Sequence, residues 1–376
     1  MSCLLTARAL RSWRYPSIPL ALAAAALGFL ALIFGAPDVA AAGDADGETM
    51  ALTLAEAVDL AFAYDLEHAI ARLQWENARI DSRIAQASGP VSPYDRLRQE
   101  LQERRAENDY LSARRSLVAN VVRDYLDLKQ AQRQLEIARR QLDLAREELA
   151  IVREMVRIGE RHAQEELREE NRVAGLELSL ATARRNQENR RRALLQRLGL
   201  PEDAHVELVD EPVPVPWSWD LDETMAYAEE HAFAVWERQA NLRIAGMDLE
   251  ALRVQDPPPL QLEKAENEYR IAEMNAQQGR RAFENSVRNA FHALSDAARR
   301  LETAAVDYEL AVAAHDTARR RYEAGLTTDL DWARAQLELL NAEQSHHDAI
   351  YSYVLARMEL LSLIGHPLDL GEDPAQ

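Results

Sequence analysis

The sequence predicts an all-α protein made of two tandem repeats of long antiparallel coiled-coil hairpins. Three observations carry that prediction. Of 376 residues only 13 are Gly and 14 are Pro, against 47% apolar and 28% charged, so long stretches run without a helix breaker. Apolar residues recur in heptads. The chain also superposes on itself: Tyr125 falls on Phe291, Leu128 on Leu294, Gly159 on Gly325, Gly199 on Gly365 and Pro201 on Pro367.

Taken from the N-terminus, Arg8, Arg11 and Arg14 precede an apolar run over 20–34, and the small residues Val39, Ala40, Ala41 and Ala42 follow it. This predicts an export signal over 1–42, cleaved near Ala41 or Ala42. An uncleaved inner-membrane anchor is the alternative, because the run falls only a little short of the roughly 20 apolar residues a spanning helix needs. Cys3 is the only cysteine and precedes the run, so the mature chain holds no thiol for disulfide, metal or redox chemistry. The net charge of -19 offers no positive face for nucleic acid.

The first repeat, 50–201, opens with a helix from Thr53 or Leu54 to about Ala87. A second helix over 94–158 contains neither Gly nor Pro and reaches about 97 Å at 1.5 Å per residue. Gly159 ends it, and a return arm over 160–198 stops at Gly199-Leu-Pro201. The second repeat, 219–367, repeats this scheme with helices over 219–254, 260–324 and 327–364. The short helix and the short arm, stacked end to end, match the long arm in length. Between the repeats lies a Pro-rich strap, 202–218, whose Glu211-Pro-Val-Pro-Val-Pro-Trp217 core is polyproline-like because proline fixes φ and removes donors. A tail, 368–376, follows.

Leu128, Leu135, Leu142, Leu149 and Val156 form one row of the heptad, with Ala131, Ala138, Ala145 and Val152 three places later. Ile137, Leu144, Ile151 and Ile158 form a further row. Two apolar rows on one helix predict two helical neighbours, as in a closed ring or a layered bundle. In the second repeat the further row is Thr303, Leu310 and Thr317, a wetter face.

The segment 322–343 opens as Tyr322-Glu-Ala-Gly325-Leu-Thr-Thr-Asp329-Leu-Asp331-Trp332, and Leu361-Ser-Leu-Ile-Gly365 follows it. Together they resemble the second helical hairpin of TolC-like outer-membrane efflux proteins. Leu52-Thr-Leu-Ala-Glu-Ala-Val58 is similar to that family's opening helix, and Asp124-Tyr-Leu-Asp127 to the start of its first strut. The resemblance extends over about 50–367. It implies a homotrimer whose twelve struts form a hollow α-barrel, working with a periplasmic membrane-fusion adaptor and an inner-membrane transporter. It also implies that the turns at Gly159, Glu160, Gly325, Leu326 and Thr328 are adaptor-contact tips, and that Asp329 and Asp331 constrict the pore. An ordinary helix C-cap explains both glycines equally well, and Asp329 also suits the first turn of a helix through the dipole.

One departure from the family is large. Its members insert two membrane strands per repeat, each about 9 to 11 residues long. Here Ser88-Gly-Pro-Val-Ser-Pro93 and Gln255-Asp-Pro-Pro-Pro259 stand in their place, too short for even one strand. The expected protomer is therefore a TolC-like α-barrel unit without transmembrane β-strands, exported to the periplasm or cell envelope and associated with an outer membrane through partners. The alternative is a non-conducting coiled-coil scaffold or adaptor of the envelope.

No catalytic, cofactor-binding or metal site is expected. His346-His347-Asp348 reads as a solvated surface, since adjacent helical residues point about 100° apart and cannot share one ion. No nucleophile with a base and no phosphate loop occurs in the sequence. Trp75, Trp217, Trp219, Trp236 and Trp332 read as packing residues. The Arg-rich stretches at 184–192 and 319–321 read as solvated or ion-paired helix faces.

Overall fold

Capping side chains set where five of the eight described helices begin. The computed structural model describes residues 50–89 and 92–367; the expected leader with Cys3, the tail 368–376 and residues 90–91 lie outside the described residues. Thr53 Oγ1 accepts the Glu56 N–H at 3.2 Å while Glu56 accepts the Thr53 N–H at 2.9 Å, a reciprocal box that opens α1 (Leu54–Tyr64). Asp220 and Glu223 repeat the device at the start of α5 (Leu221–His231).

Where one helix is expected over 53–87, the chain breaks at Asp65. Its carboxylate accepts the His68 N–H at 2.6 Å and its backbone turns extended, so α2 (Leu66–Ala87) starts afresh. The second repeat breaks at the corresponding Ala232, before α6 (Phe233–Val254), with no side-chain cap. Tertiary packing explains this second break. Ala232 is buried, and a Cβ built on Gly365 would lie 3.4 Å from the His231 carbonyl oxygen. In the first repeat Gly199 sits against the same joint, where a Cβ would meet Tyr64 Cγ at 2.6 Å. Both glycines also have positive φ, +68° and +81°, which a residue without Cβ adopts freely.

The two long arms, α3 (Pro93–Arg157) and α7 (Pro259–Glu323), have 65 residues each; the return arms, α4 (Ala163–Leu198) and α8 (Asp329–Ile364), have 36 each. Proline opens both long arms at a position where its missing N–H costs nothing. α2 packs on the first half of α3, where Trp75 stacks on Tyr110 at 5.1 Å, and α4 packs on the second half, where Arg153 meets Glu170 at 2.6 Å. End-to-end stacking along the long arm is thus realised, with α1 between the two. A short parallel pairing of β1 (Met50–Leu52) with β2 (Val206–Leu208) is an addition to the sequence reading.

Laterally the helices form an open layer. In one half the contacts run α2 to α3 to α6 to α7; in the other they run α4 to α3 to α8 to α7. Among the described residues no contact of comparable extent joins α2 or α4 to α7, so the layer keeps two free edges. Its core lies mid-length: Leu52, Ala57, Val121, Tyr125, Leu194 and Leu198 are buried in one cluster, and Phe283, Val287, Leu294, Leu360 and Ile364 in its second-repeat counterpart.

The heptad rows separate by burial. Leu142, Ala145 and Leu149 are buried against Val173, Leu176 and Leu180 of α4. In the further row Ile137 and Leu144 are half-buried, and Ile151 and Ile158 are exposed. Thr303 and Thr317 are exposed, each hydroxyl donating to the carbonyl four residues back, Arg299 and Ala313. The second neighbour expected of α3 is present within the chain, since α4 and α8 both pack on it, and only the Ile151 and Ile158 end of the further row stays exposed.

Candidate functional site

The hairpin turns are built by one backbone rule used twice. At the end of α3, Gly159 has φ +81° and its N–H donates to the Val156 carbonyl, while the Glu160 N–H reaches Met155 O at 2.8 Å. At the end of α7, Gly325 has φ +67°, its N–H donates to Tyr322 O, and the Leu326 N–H reaches Arg321 O at 2.8 Å. Nothing lies within 4 Å of a Cβ built on either glycine, so positive φ alone selects Gly here. Both turns are solvent-facing, and Leu326 is 77% exposed.

The side chains around the two turns differ. On the first, His162 begins α4 without a side-chain cap, and Arg153 reaches Glu166 at 3.2 Å and Glu170 at 2.6 Å. On the second, Thr328 Oγ1 accepts the Asp331 N–H at 3.1 Å and donates to Asp331 Oδ2 at 2.8 Å. That hydroxyl holds the Asp331 carboxyl below the usual carboxylate range, so it stays charged. Asp329 accepts a hydrogen bond from Tyr322, which raises that phenol above its ordinary value. Tyr322 in turn stacks on Trp332 at 5.7 Å, and His315 covers Trp332 at 4.9 Å. Asp329 and Asp331 thus serve helix initiation while remaining exposed at the tip.

The tips are tied to each other one level up. Arg334, within 3.5 Å of Asp331, also reaches Glu148 of α3 at 2.5 Å, and Glu148 pairs with Arg172 of α4. One carboxylate, its side chain 15% exposed, therefore joins both hairpins. No local pattern marks it, because Glu148 is one among many Glu residues on a long helix.

Sequence reasoning also missed a polar junction at mid-length. The strap delivers Asp210 and Glu211 into it. Asp210 accepts the Leu54 N–H at 3.0 Å and the hydroxyl of fully buried Tyr125. Burial, with the Asp210 carboxylate alongside, raises the Tyr125 phenol well above its ordinary value. Glu211 accepts Lys129 Nζ at 2.6 Å, Arg133 Nη2 at 2.5 Å and the Tyr351 hydroxyl at 3.0 Å. Burial by itself would raise the Glu211 carboxyl, but Lys129 and Arg133 outweigh it and hold it below the usual range.

His347 lies 3.6 Å from Glu211 and 3.8 Å from Glu343, partly buried instead of solvated. Burial, with Arg133 nearby, keeps its imidazole below its ordinary value. The reason is tertiary: α8 turns this face toward α3 and the strap. Among the described residues no group of three or more His, Cys, Asp or Glu is placed to hold a metal. Trp217 and Trp219 pack edge-to-face at 5.5 Å beside the strap, and Trp236 lies under Arg104 at 4.3 Å. In the Arg-rich stretches, Arg191 and Arg192 pair with Glu188, Arg190 with Asp127 and Arg319 with Glu323.

Among the described residues no helix is long and apolar enough to cross a membrane. The sequence matches the outer membrane efflux protein family over residues 94–200 and again over 260–366, two segments offset by the same distance as the internal repeat. The fold is similar to the crystal structure of a membrane protein from Pseudomonas aeruginosa, at 17% identity and a TM-score of 0.60, over 83% of this chain and 93% of that one. It is also similar to the CmeC outer membrane channel of Campylobacter jejuni, at 16% identity and a TM-score of 0.58, over 86% and 87% of the two chains. The outer membrane protein VceC of Vibrio cholerae gives 14% identity and 0.58, over 83% and 96%. At these identities the likeness is one of fold. No curated protein matches the sequence.

Proposed function

The chain belongs to the outer membrane efflux protein family, and from that premise we propose that it is the helical wall of an efflux duct in the cell envelope. Three copies close the duct, and a periplasmic adaptor and an inner-membrane transporter load it. The observation that carries this reading is the open layer. A self-contained scaffold would bring α4 against α7 to close a four-helix bundle, whereas here the two edges stay free and the Thr303 and Thr317 face stays wet.

The solvent-facing turns at Gly159, Glu160, Gly325, Leu326 and Thr328 are the surface offered to the adaptor. Leu326 is the apolar anchor on that surface. Three copies of Asp329 and Asp331 would place like charges around the narrow end, favouring cations there. The connections 88–92 and 255–258 are too short for a membrane strand of about 9 to 11 residues, so this end meets an outer membrane through a partner. The leader over 1–42 delivers the chain to the envelope.

Sedimentation of the full chain, with negative-stain images of the particles, tests the reading. A hollow trimer is expected. A monomer whose Thr303 and Thr317 faces are buried in a solid bundle would refute the duct in favour of the scaffold.

A further inference from the structure

Helix α2 carries a heptad on the side turned away from α3. Leu66, Ile70, Leu73, Ile80 and Ile84 follow alternating spacings of four and three, with Asn77 filling the remaining place. These five apolar side chains are between 42% and 75% exposed. The other side of α2 is occupied: Trp75 stacks on Tyr110 of α3, and Ser82 is buried. A coiled-coil seam of this regularity, facing water along a whole helix, is an unpartnered interface.

The second repeat shows what covers such a seam. In α6 the corresponding positions include Glu237, Ala240, Ile244 and Met247, and α3 of the same chain covers them. Arg105 Nε donates to Glu237 at 2.6 Å, Arg104 lies 4.3 Å over the Trp236 ring, and Leu97 and Leu101 pack with Ala240, Ile244 and Met247. The contact is antiparallel, since Tyr94 near the start of α3 bonds Asp248 late in α6.

The counterpart of α3 in the second repeat is α7, which forms the opposite edge of the layer. Ile271 of α7 corresponds to Arg105, and Ile70 of α2 corresponds to Glu237. The inner contact uses an ion pair at this point; the two free edges carry isoleucine on both sides. Leu260, Ile271 and Met274 of α7 are between 52% and 79% exposed. Leu97 and Leu101, which meet Ala240, Ile244 and Met247, correspond to Glu263 and Asn267, so on the α7 side the middle of the seam, opposite Leu73, Asn77 and Ile80, is polar and both ends are apolar.

We propose that α7 of one copy packs antiparallel on α2 of the next, with Ile271 against Ile70, Met274 near Leu66 and Leu260 toward Ile84. The occupant of the exposed seam is thus a second copy of this chain. Because the two surfaces differ, the contact is heterologous, and repetition closes a ring when the rotation allows. The inference rests on the duct reading above and adds its register. It places an apolar helix-to-helix lock at the end of the layer that carries the short connections 88–92 and 255–258.

The internal ion pair supplies the test. In the full chain with Cys3→Ser, Ile70→Glu and Ile271→Arg are made singly and together, and assembly is followed by light scattering, with far-UV circular dichroism to monitor folding. Each single variant buries an unmatched charge in the seam and is expected to weaken association at least about tenfold. The double variant recreates the Arg105–Glu237 arrangement between copies and is expected to restore most of the loss. An Ile70→Cys, Ile271→Cys chain treated with copper phenanthroline is expected to form covalent dimers and higher ladders. Wild-type trimers with singles that assemble normally, a double variant no better than the singles, or a cysteine pair that never crosslinks would overturn the register and leave the duct intact. A wild-type monomer would overturn both.

Discussion

Replacing Glu211 by Gln tests whether the strap is a structural tie between the repeats. Glu211 holds Lys129 and Arg133 of α3 and Tyr351 of α8 through one carboxylate. The substitution keeps the shape and removes the charge, leaving the Lys129 ammonium unmatched. The Lys129 side chain is only 8% exposed, and breaking a buried pair by removing one partner costs about 3–5 kcal/mol. Glu211 itself is 39% exposed, so water screens part of the interaction, and the expected loss falls to about 2 kcal/mol.

The Glu211 carboxyl is lower in the folded state than in the unfolded chain. Its contribution is therefore complete above the unfolded carboxyl value and is lost as pH falls further, through the lower folded one. Urea unfolding followed by circular dichroism, at fixed protein concentration because assembly adds stability, measures the difference. Wild type should exceed Glu211→Gln at pH 7, and the gap should close in acid. Lys129→Met added to Glu211→Gln should recover part of the loss, because the stranded ammonium is gone. A difference under about 0.5 kcal/mol at pH 7, or one that stays constant as the pH falls, would refute the argument.

Further outcomes follow from the packing. Gly199→Ala places a methyl group against Tyr64 at φ +68°, whereas Gly365→Ala meets only ordinary contact at φ +81°; the first should cost more than the roughly 1 kcal/mol expected of the second, as thermal unfolding would show. Leu142→Ala empties a buried seam position and should cost about 2–5 kcal/mol, while Ile151→Ala, 42% exposed in one chain, should cost about 0.5 kcal/mol in the monomer by urea titration. Glu148→Gln releases Arg172 and Arg334 together and should raise amide exchange at both hairpin tips without altering the mid-length core. Asp331→Asn weakens the Thr328 cap and should fray the start of α8, visible as faster exchange over its first turn.

How much of this protein was legible in advance follows from the range of the forces involved. The 65-residue arms could be read because Gly159 and Gly325 are local stops, and after the opening proline α3 holds no Gly or Pro and α7 only Gly279. The buried row from Leu128 to Leu149 could be read because a heptad needs only its own sequence to declare a face. The acidic tip pair, Asp329 and Asp331, was visible as residues, while the capping work of Asp331 required the Thr328 hydroxyl to be placed.

The sequence by itself determined the duplication, the lengths of the arms and which face of each is apolar, since periodicity and caps act within a few turns. Only the tertiary structure decided the break at Ala232, the tie of the strap through Asp210 and Glu211, and the bridging role of Glu148. It also decided that the layer stays open, with Ile70 and Ile271 at opposite edges. Each of these depends on which surfaces meet between segments far apart in the chain, Leu54 and Asp210 being 156 residues apart. Heptads state that a face will be buried, and only the assembled neighbours state against what.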